Sequence, residues 1–117
     1  MKKLLKSMEA KIWNKNFWIE EIEPKELKKN YKIILLKSNF TILNFIDYHF
    51  KPFGYSCLWL LAESHLAIHT FPEENKSYIE LSSCNEEKFK KFIQIIKKQY
   101  KINNIHEKKL NEGNENN

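Results

Sequence analysis

Three strand-like runs, Ser56 to Leu61, His65 to Phe71 and Ser77 to Ser83, follow one another with only short polar stretches between them, centred on Glu63-Ser64 and on Pro72 to Lys76. Gaps this short leave no room for a crossover helix, so successive runs must pair as antiparallel neighbours. A fourth run precedes them. Ile42, Asn44, Ile46, Tyr48 and Phe50 interleave with Thr41, Leu43, Phe45, Asp47 and His49, giving an apolar bias on both faces, and Pro52 and Gly54 then turn the chain. Further upstream, Phe17 to Ile22 is aromatic and β-branched and stops at Pro24, as a strand does when it runs into a helix start.

Two segments carry the helical period instead. From Lys25 onward Leu27, Tyr31, Ile34 and Leu35 share one face, with lysines on the other. The second is clearer: Phe89, Phe92, Ile93, Ile96 and Tyr100 form one apolar stripe against lysines at 88, 90, 91, 97 and 98. Each stripe needs a partner surface, and the sheet is the one available. The expected fold is therefore α+β: a two-layer sandwich in which a mostly antiparallel sheet of about four or five strands carries two helices on one face. Asn103 to Asn117 is rich in asparagine and glutamate without apolar periodicity and reads as a disordered tail, so residues 1–102 form a single domain.

With 117 residues there is room for one core and no separate regulatory module, and so small a core favours association into an oligomer. The net charge of +5 would suit an anionic partner, but every one of the 20 basic residues is lysine. A nucleic-acid face without the planar arginine fork is unusual, so the lysines read as solvated helix faces and no nucleic-acid partner is expected. Cys57 and Cys84 are far apart and give neither zinc nor redox spacing, so no metal is expected. No apolar run approaches the roughly 18 residues of a membrane span. The basic start at Met1 to Lys6 has no apolar stretch behind it, which argues against a secretory signal and for a cytoplasmic protein without a membrane partner.

Reactive side chains concentrate in Leu61 to Glu73 and at Ser83-Cys84, where strand burial would ordinarily select apolar residues. Read singly, they are ordinary in a sheet: a turn serine is usually structural, His65 and His69 would line one sheet face, and a lone cysteine usually packs. Read together, they form a pattern. Glu63-Ser64-His65-Leu66-Ala67-Ile68-His69-Thr70-Phe71-Pro72-Glu73, then Ser83-Cys84-Asn85, with Phe50-Lys51-Pro52-Phe53-Gly54-Tyr55-Ser56 upstream, resembles the short bacterial and archaeal pyruvoyl-dependent class of S-adenosylmethionine decarboxylases. That family carries Glu-Ser-His-Leu-x-Ile-His-Thr-Trp-Pro-Glu, Thr-Cys-Gly and Phe-x-Pro-x-Gly-x-Ser. The departures are Phe71 for tryptophan, Ser83 and Asn85 for threonine and glycine, Glu80 for an aspartate, and no recognisable Arg-His-Leu near Asn16-Phe17.

The resemblance implies a self-cleaving proenzyme. Ser64 would attack the carbonyl of Glu63, and β-elimination from the resulting ester would release a β chain of residues 1–63. The α chain, 64–117, would then begin with a pyruvoyl group made from Ser64. His69 would be the processing base, Ser56 would assist, Cys84 would be the proton donor in turnover, Phe50 would stack on adenine and Glu73 would bind ribose hydroxyls. For Phe50 a core role is the plain alternative; Cys57 reads as core and His65 has no assigned role. The implied activity is Schiff-base decarboxylation of S-adenosylmethionine for spermidine biosynthesis by a homodimer of αβ units. A basic amino acid such as ornithine or arginine is the alternative substrate on the same fold, and a non-catalytic partner subunit is the alternative outside catalysis.

Overall fold

The computed structural model describes residues 10–100. The expected tail at 103–117 lies outside them. In chain order the elements are β1 (Trp13–Ile19), α1 (Pro24–Lys37), β2 (Ile42–His49), β3 (Tyr55–Leu61), β4 (Ser64–Phe71), a 3-10 turn at Pro72–Glu74, β5 (Lys76–Ser83) and α2 (Glu86–Gln99). The strands form one sheet in the order β1-β5-β4-β3-β2, and all its pairs are antiparallel. Both helices pack on the same face of the sheet, so the two-layer α+β expectation holds, with five strands.

The period of two along each strand decides what meets the helices. Phe17 and Ile19 of β1, Ile79 and Leu81 of β5, Leu66 and Ile68 of β4, and Tyr55, Cys57, Trp59 and Leu61 of β3 are all buried on that side. They join Leu27, Tyr31, Ile34 and Leu35 from α1 and Phe89, Phe92 and Ile96 from α2 in one core. Each such aliphatic or aromatic side chain contributes roughly 1.5–3 kcal/mol through removal from water.

The helix ends are fixed locally. Pro24 opens α1, where a missing N–H costs nothing, and Ser38 closes it, its N–H and Oγ both donating to the Ile34 carbonyl at 2.9 and 2.8 Å. At the start of α2 the Asn85 side chain accepts from the Lys88 N–H at 2.9 Å. Glu86 and Glu87 in the first turn and Lys97 and Lys98 in the last complement the helix dipole.

Two sequence expectations need correction. β1 occupies Trp13–Ile19 instead of Phe17–Ile22. Ile19 makes the last pair, with Ser77, and beyond it the Glu21 carbonyl accepts from the Ser77 hydroxyl at 2.6 Å. β2 ends at His49 and is an edge strand, so its apolar residues are not covered on both sides. Ile46 and Tyr48 project from the helix-free face and remain 62% and 64% exposed.

Candidate functional site

The turn between β3 and β4 is tight. Leu61 pairs with Ser64, leaving only Ala62 and Glu63 to connect the strands. Glu63 closes the turn with φ +63°, a left-handed conformation uncommon for a residue with a Cβ, which costs roughly 1–2 kcal/mol. Strain therefore sits at the residue just before Ser64.

Ser64 begins β4 on the helix side, 8% exposed, and its hydroxyl donates to Ser83 Oγ at 2.7 Å. That contact follows from register, since Ser64 and Ser83 are cross-strand partners. Ser83, 1% exposed, also accepts from the Asn85 N–H at 3.0 Å and reaches the Asn85 carbonyl at 3.3 Å. The next residue holds the other side of the bond: the Cys84 N–H donates to the Glu63 carbonyl at 3.3 Å. The Cys84 side chain is exposed. A cavity of about 440 Å³ opens here, lined by Ile12, Glu63, Ser64, His65, Ser83 and Cys84 among others.

The opposite end of the sheet carries a second cluster. Ser56 and His69 are cross-strand partners, and Ser56 Oγ lies 2.7 Å from His69 Nδ1. They belong to a row that crosses all five strands on the helix-free face: Trp18 opposite Tyr78, Tyr78 opposite His69, His69 opposite Ser56, Ser56 opposite Tyr48. The Tyr78 and His69 rings lie nearly parallel, 18° apart in plane with centroids 6.5 Å apart, and Trp18 packs on Tyr78 at 5.2 Å. A cavity of about 450 Å³ lies beside the row and includes Ile46, Tyr48, Ser56, Ala67 and His69 in its wall.

Phe50 follows β2 at this same end. Its N–H donates to the Gly54 carbonyl at 2.8 Å, across a loop that Gly54 closes with φ +117°. The Phe50 ring is half-exposed and meets Tyr48 edge-on at 4.8 Å, so it is not a core residue. Glu73 sits exposed on the 3-10 turn after β4. His65 shares the helix-free face with His69, two strand periods away as its spacing implies, but borders the cavity beside Ser64. Cys57 is confirmed as core. Burial pushes its thiol up to about 12, and it neighbours a buried Tyr55 whose hydroxyl donates to Asp47 at 2.8 Å and is held well above the usual phenol range, chiefly by burial.

Within one chain the candidate residues thus form two groups. Glu63, Ser64 and Cys84 gather at the β3–β4 turn, while Phe50, Ser56, His69 and Glu73 gather at the far end. Five strand residues at ~3.3 Å each separate Ser64 from His69 by about 16 Å, and the odd spacing puts them on opposite faces. In the sequence Ser83 stands out only as a departure from threonine. Its link to Ser64 depends on β4–β5 register, which no local pattern reveals.

The architecture and the turn geometry can be compared with known proteins. A family model described as S-adenosylmethionine decarboxylase matches residues 22–113. The chain belongs to the S-adenosylmethionine decarboxylase family. One relative, an S-adenosylmethionine decarboxylase proenzyme from Prochlorococcus marinus (strain MIT 9313), is 45% identical over 47 residues, covering 40% of this chain and 38% of the relative. Another, S-adenosylmethionine decarboxylase proenzyme 2 from a strain of Bacillus cereus, is 40% identical over 73 residues, covering 62% and 59%. The chain thus spans less than two fifths of the first of these decarboxylase proenzymes and about three fifths of the second. In fold it resembles the crystal structure of the adenosylmethionine decarboxylase from Aquifex aeolicus, with a TM-score of 0.64 at 19% identity, covering 79% of this chain and 82% of that one.

Proposed function

We propose that this chain is a self-processing decarboxylase proenzyme that makes a pyruvoyl group from Ser64 and decarboxylates S-adenosylmethionine. The observation that carries the reading is the treatment of the Glu63–Ser64 peptide bond. The Ser64 hydroxyl is held by Ser83, the Glu63 carbonyl is polarised by the Cys84 N–H, and Glu63 is in a strained left-handed conformation. These are a buried nucleophile, a donor for developing negative charge on oxygen, and stored strain, all on one bond.

Processing would begin with attack of Ser64 Oγ on the Glu63 carbonyl carbon. The C–N bond breaks, the hydroxyl proton ends on the Ser64 nitrogen, and an ester replaces the amide. Loss of the Ser64 α-hydrogen then expels the Glu63 carboxylate, and water replaces the amino group as ammonia to leave a ketone. The buried position of Ser64, beside a cavity shared with Cys84, fits a ketone made in place. That group supplies an electron sink when carbon dioxide leaves a bound amine. Cys84, exposed beside it, is suited to return a proton to the substrate carbon. Phe50 would offer its exposed ring to adenine and Glu73 its carboxylate to ribose hydroxyls.

His69 is suited to remove the α-hydrogen. In the tautomer whose Nδ1–H donates to Ser56, Nε2 carries the free lone pair. Its separation from the Ser64 of its own chain makes the work an intermolecular one: His69 of one copy would serve Ser64 of a second, in a homodimer. Ile46, Tyr48 and Leu60, exposed apolar residues on the face that bears His69 and Ser56, give such a dimer a surface to bury.

Intact mass under denaturing conditions tests the reading. The expected result is two fragments divided between Glu63 and Ser64, the second blocked at its amino terminus, with Ser64→Ala remaining a single chain. A wild-type chain that stays whole on long incubation refutes it. Release of carbon dioxide from S-adenosylmethionine, against ornithine and arginine, then identifies the substrate.

A further inference from the structure

We infer that Ser83 is the positioning residue that aims Ser64 at the Glu63 carbonyl, and so sets the rate of the first step of self-cleavage. The inference rests on the self-processing reading above. It starts from the direction of one hydrogen bond. Ser64 donates its hydroxyl proton to Ser83 Oγ at 2.7 Å, a well-formed hydroxyl–hydroxyl contact, at a site where both side chains are buried. With the proton committed there, the Ser64 oxygen keeps its lone pairs for carbon, and its side-chain rotation is fixed.

Ser83 can hold that role because its own hydroxyl is fixed in turn. It accepts from the Asn85 N–H at 3.0 Å and has the Asn85 carbonyl as its acceptor at 3.3 Å, so its lone pairs are turned to Ser64 and the Asn85 amide. Asn85 caps α2, with its side chain accepting from Lys88 at 2.9 Å, so the segment is anchored to the helix as well as to the sheet. The adjacent Cys84 N–H meets the Glu63 carbonyl oxygen at 3.3 Å. Two successive residues therefore grip the two reacting groups, Ser83 the attacking oxygen and Cys84 the carbonyl. A dead-end acceptor such as the Asn85 carbonyl takes no proton, so Ser83 orients the nucleophile and is not a relay. The Oγ–C bond forms, the C–N bond breaks, and the hydroxyl proton ends on the released nitrogen.

The test follows cleavage of freshly made full-length precursor over time by intact mass, for wild type, Ser83→Ala and Ser83→Thr, each with its thermal midpoint. Hydroxylamine is added in parallel, because it cuts the ester and reports how fast the first step runs independently of elimination. Loss of orientation of a reacting group by an ångström or so costs on the order of 100-fold, so Ser83→Ala is expected to slow both cleavage and ester trapping by about 10- to 100-fold. Ser83→Thr, which keeps the hydroxyl, is expected to restore most of the rate. A merely structural role would move the midpoint without this rescue and without changing trapping in the fraction that stays folded. If Ser83→Ala does not fold, Ser83→Cys supplies the comparison, since its thiol is a weak acceptor of nearly the same shape. Cleavage of the hydroxyl-free variant at the wild-type rate or faster, in a background where wild type cleaves, overturns the role of Ser83 alone. A wild-type chain that never cleaves overturns the self-processing reading with it.

Discussion

If His69 acts on the Ser64 of a second copy, two inactive variants should repair one another. The first variant is Ser64→Ala, which cannot cleave but keeps His69; the second is His69→Ala, which keeps Ser64 but lacks its base. The distance argument sets the expectation. A general base must come within about 3 Å of the proton it removes, whereas five strand residues put His69 about 16 Å from its own Ser64 and on the opposite face. Loss of a base in reach costs roughly 100- to 10,000-fold, so His69→Ala alone should be nearly static on the wild-type time scale. Random pairing of equal amounts of the two variants places about half of the Ser64-bearing chains beside a chain with an intact His69. About that half should then cleave at close to the wild-type rate in the unfractionated mixture, and nearly all of the Ser64-bearing chains once only mixed pairs are kept. The assay is coexpression of the two variants with distinguishable tags, purification through both, and intact mass over time. His69→Ala cleaving no faster in the mixed pair than alone would refute the two-chain arrangement.

Other outcomes follow from single features. Cys84→Ala should still cleave to some extent but lose decarboxylase activity during turnover, because protonation at the wrong carbon consumes the ketone; a linear course of carbon dioxide release would remove Cys84 as sole proton donor. Glu63→Gly should relieve a left-handed strain of about 1 kcal/mol and so slow the first cleavage step by up to about 5-fold, read as a cleavage half-time. Faster cleavage in that variant would show that the strain does not drive the step. Stability should hold at neutral pH and fall as pH rises beyond about 9, where an unfolded thiol begins to ionise while Cys57, pushed up to about 12 by burial, stays protonated in the fold. Tyr31, Tyr55, Tyr78 and Tyr100 are raised as well, so the decline continues through the phenol range. Unfolding in urea at pH 7 and pH 10 checks this, with Cys57→Val expected to lose less between the two than wild type.

The sheet from β2 to β5 and both helices were legible because short turns and clear apolar stripes left few alternatives. β1 was harder. Its period-two pattern is broken by Lys15, a lysine that faces the helices at 7% exposure, and a buried lysine disguises a strand as a polar stretch. The residues of the candidate site were legible as a pattern, but their arrangement was only half so. The odd spacing of Ser64 and His69 already placed them on opposite faces of any strand that held both. What the sequence could not supply was register. Which residue of β5 lies beside Ser64 is decided by the whole length of the β4–β5 ladder and by a turn at Pro72–Glu74, ending in the left-handed Asn75, that sets its offset.

If the turn is cut as proposed, the strand order also governs the fate of the two pieces. β4 and β5, which would belong to the fragment starting at Ser64, lie between β3 on one side and β1 on the other, and both of those would belong to the fragment ending at Glu63. The shorter fragment would thus be inserted into the longer one as a wedge, with a ladder of backbone hydrogen bonds on each flank and shared core residues beneath. Neither piece could leave without opening two interfaces at once; alone, the longer would be split into β1 and the β2–β3 pair, and the shorter would keep only the β4–β5 pair. On the proposed self-processing, folding would have to come before the cut, and a cut protein should melt as a two-component complex whose midpoint rises with concentration, even though it began as one chain.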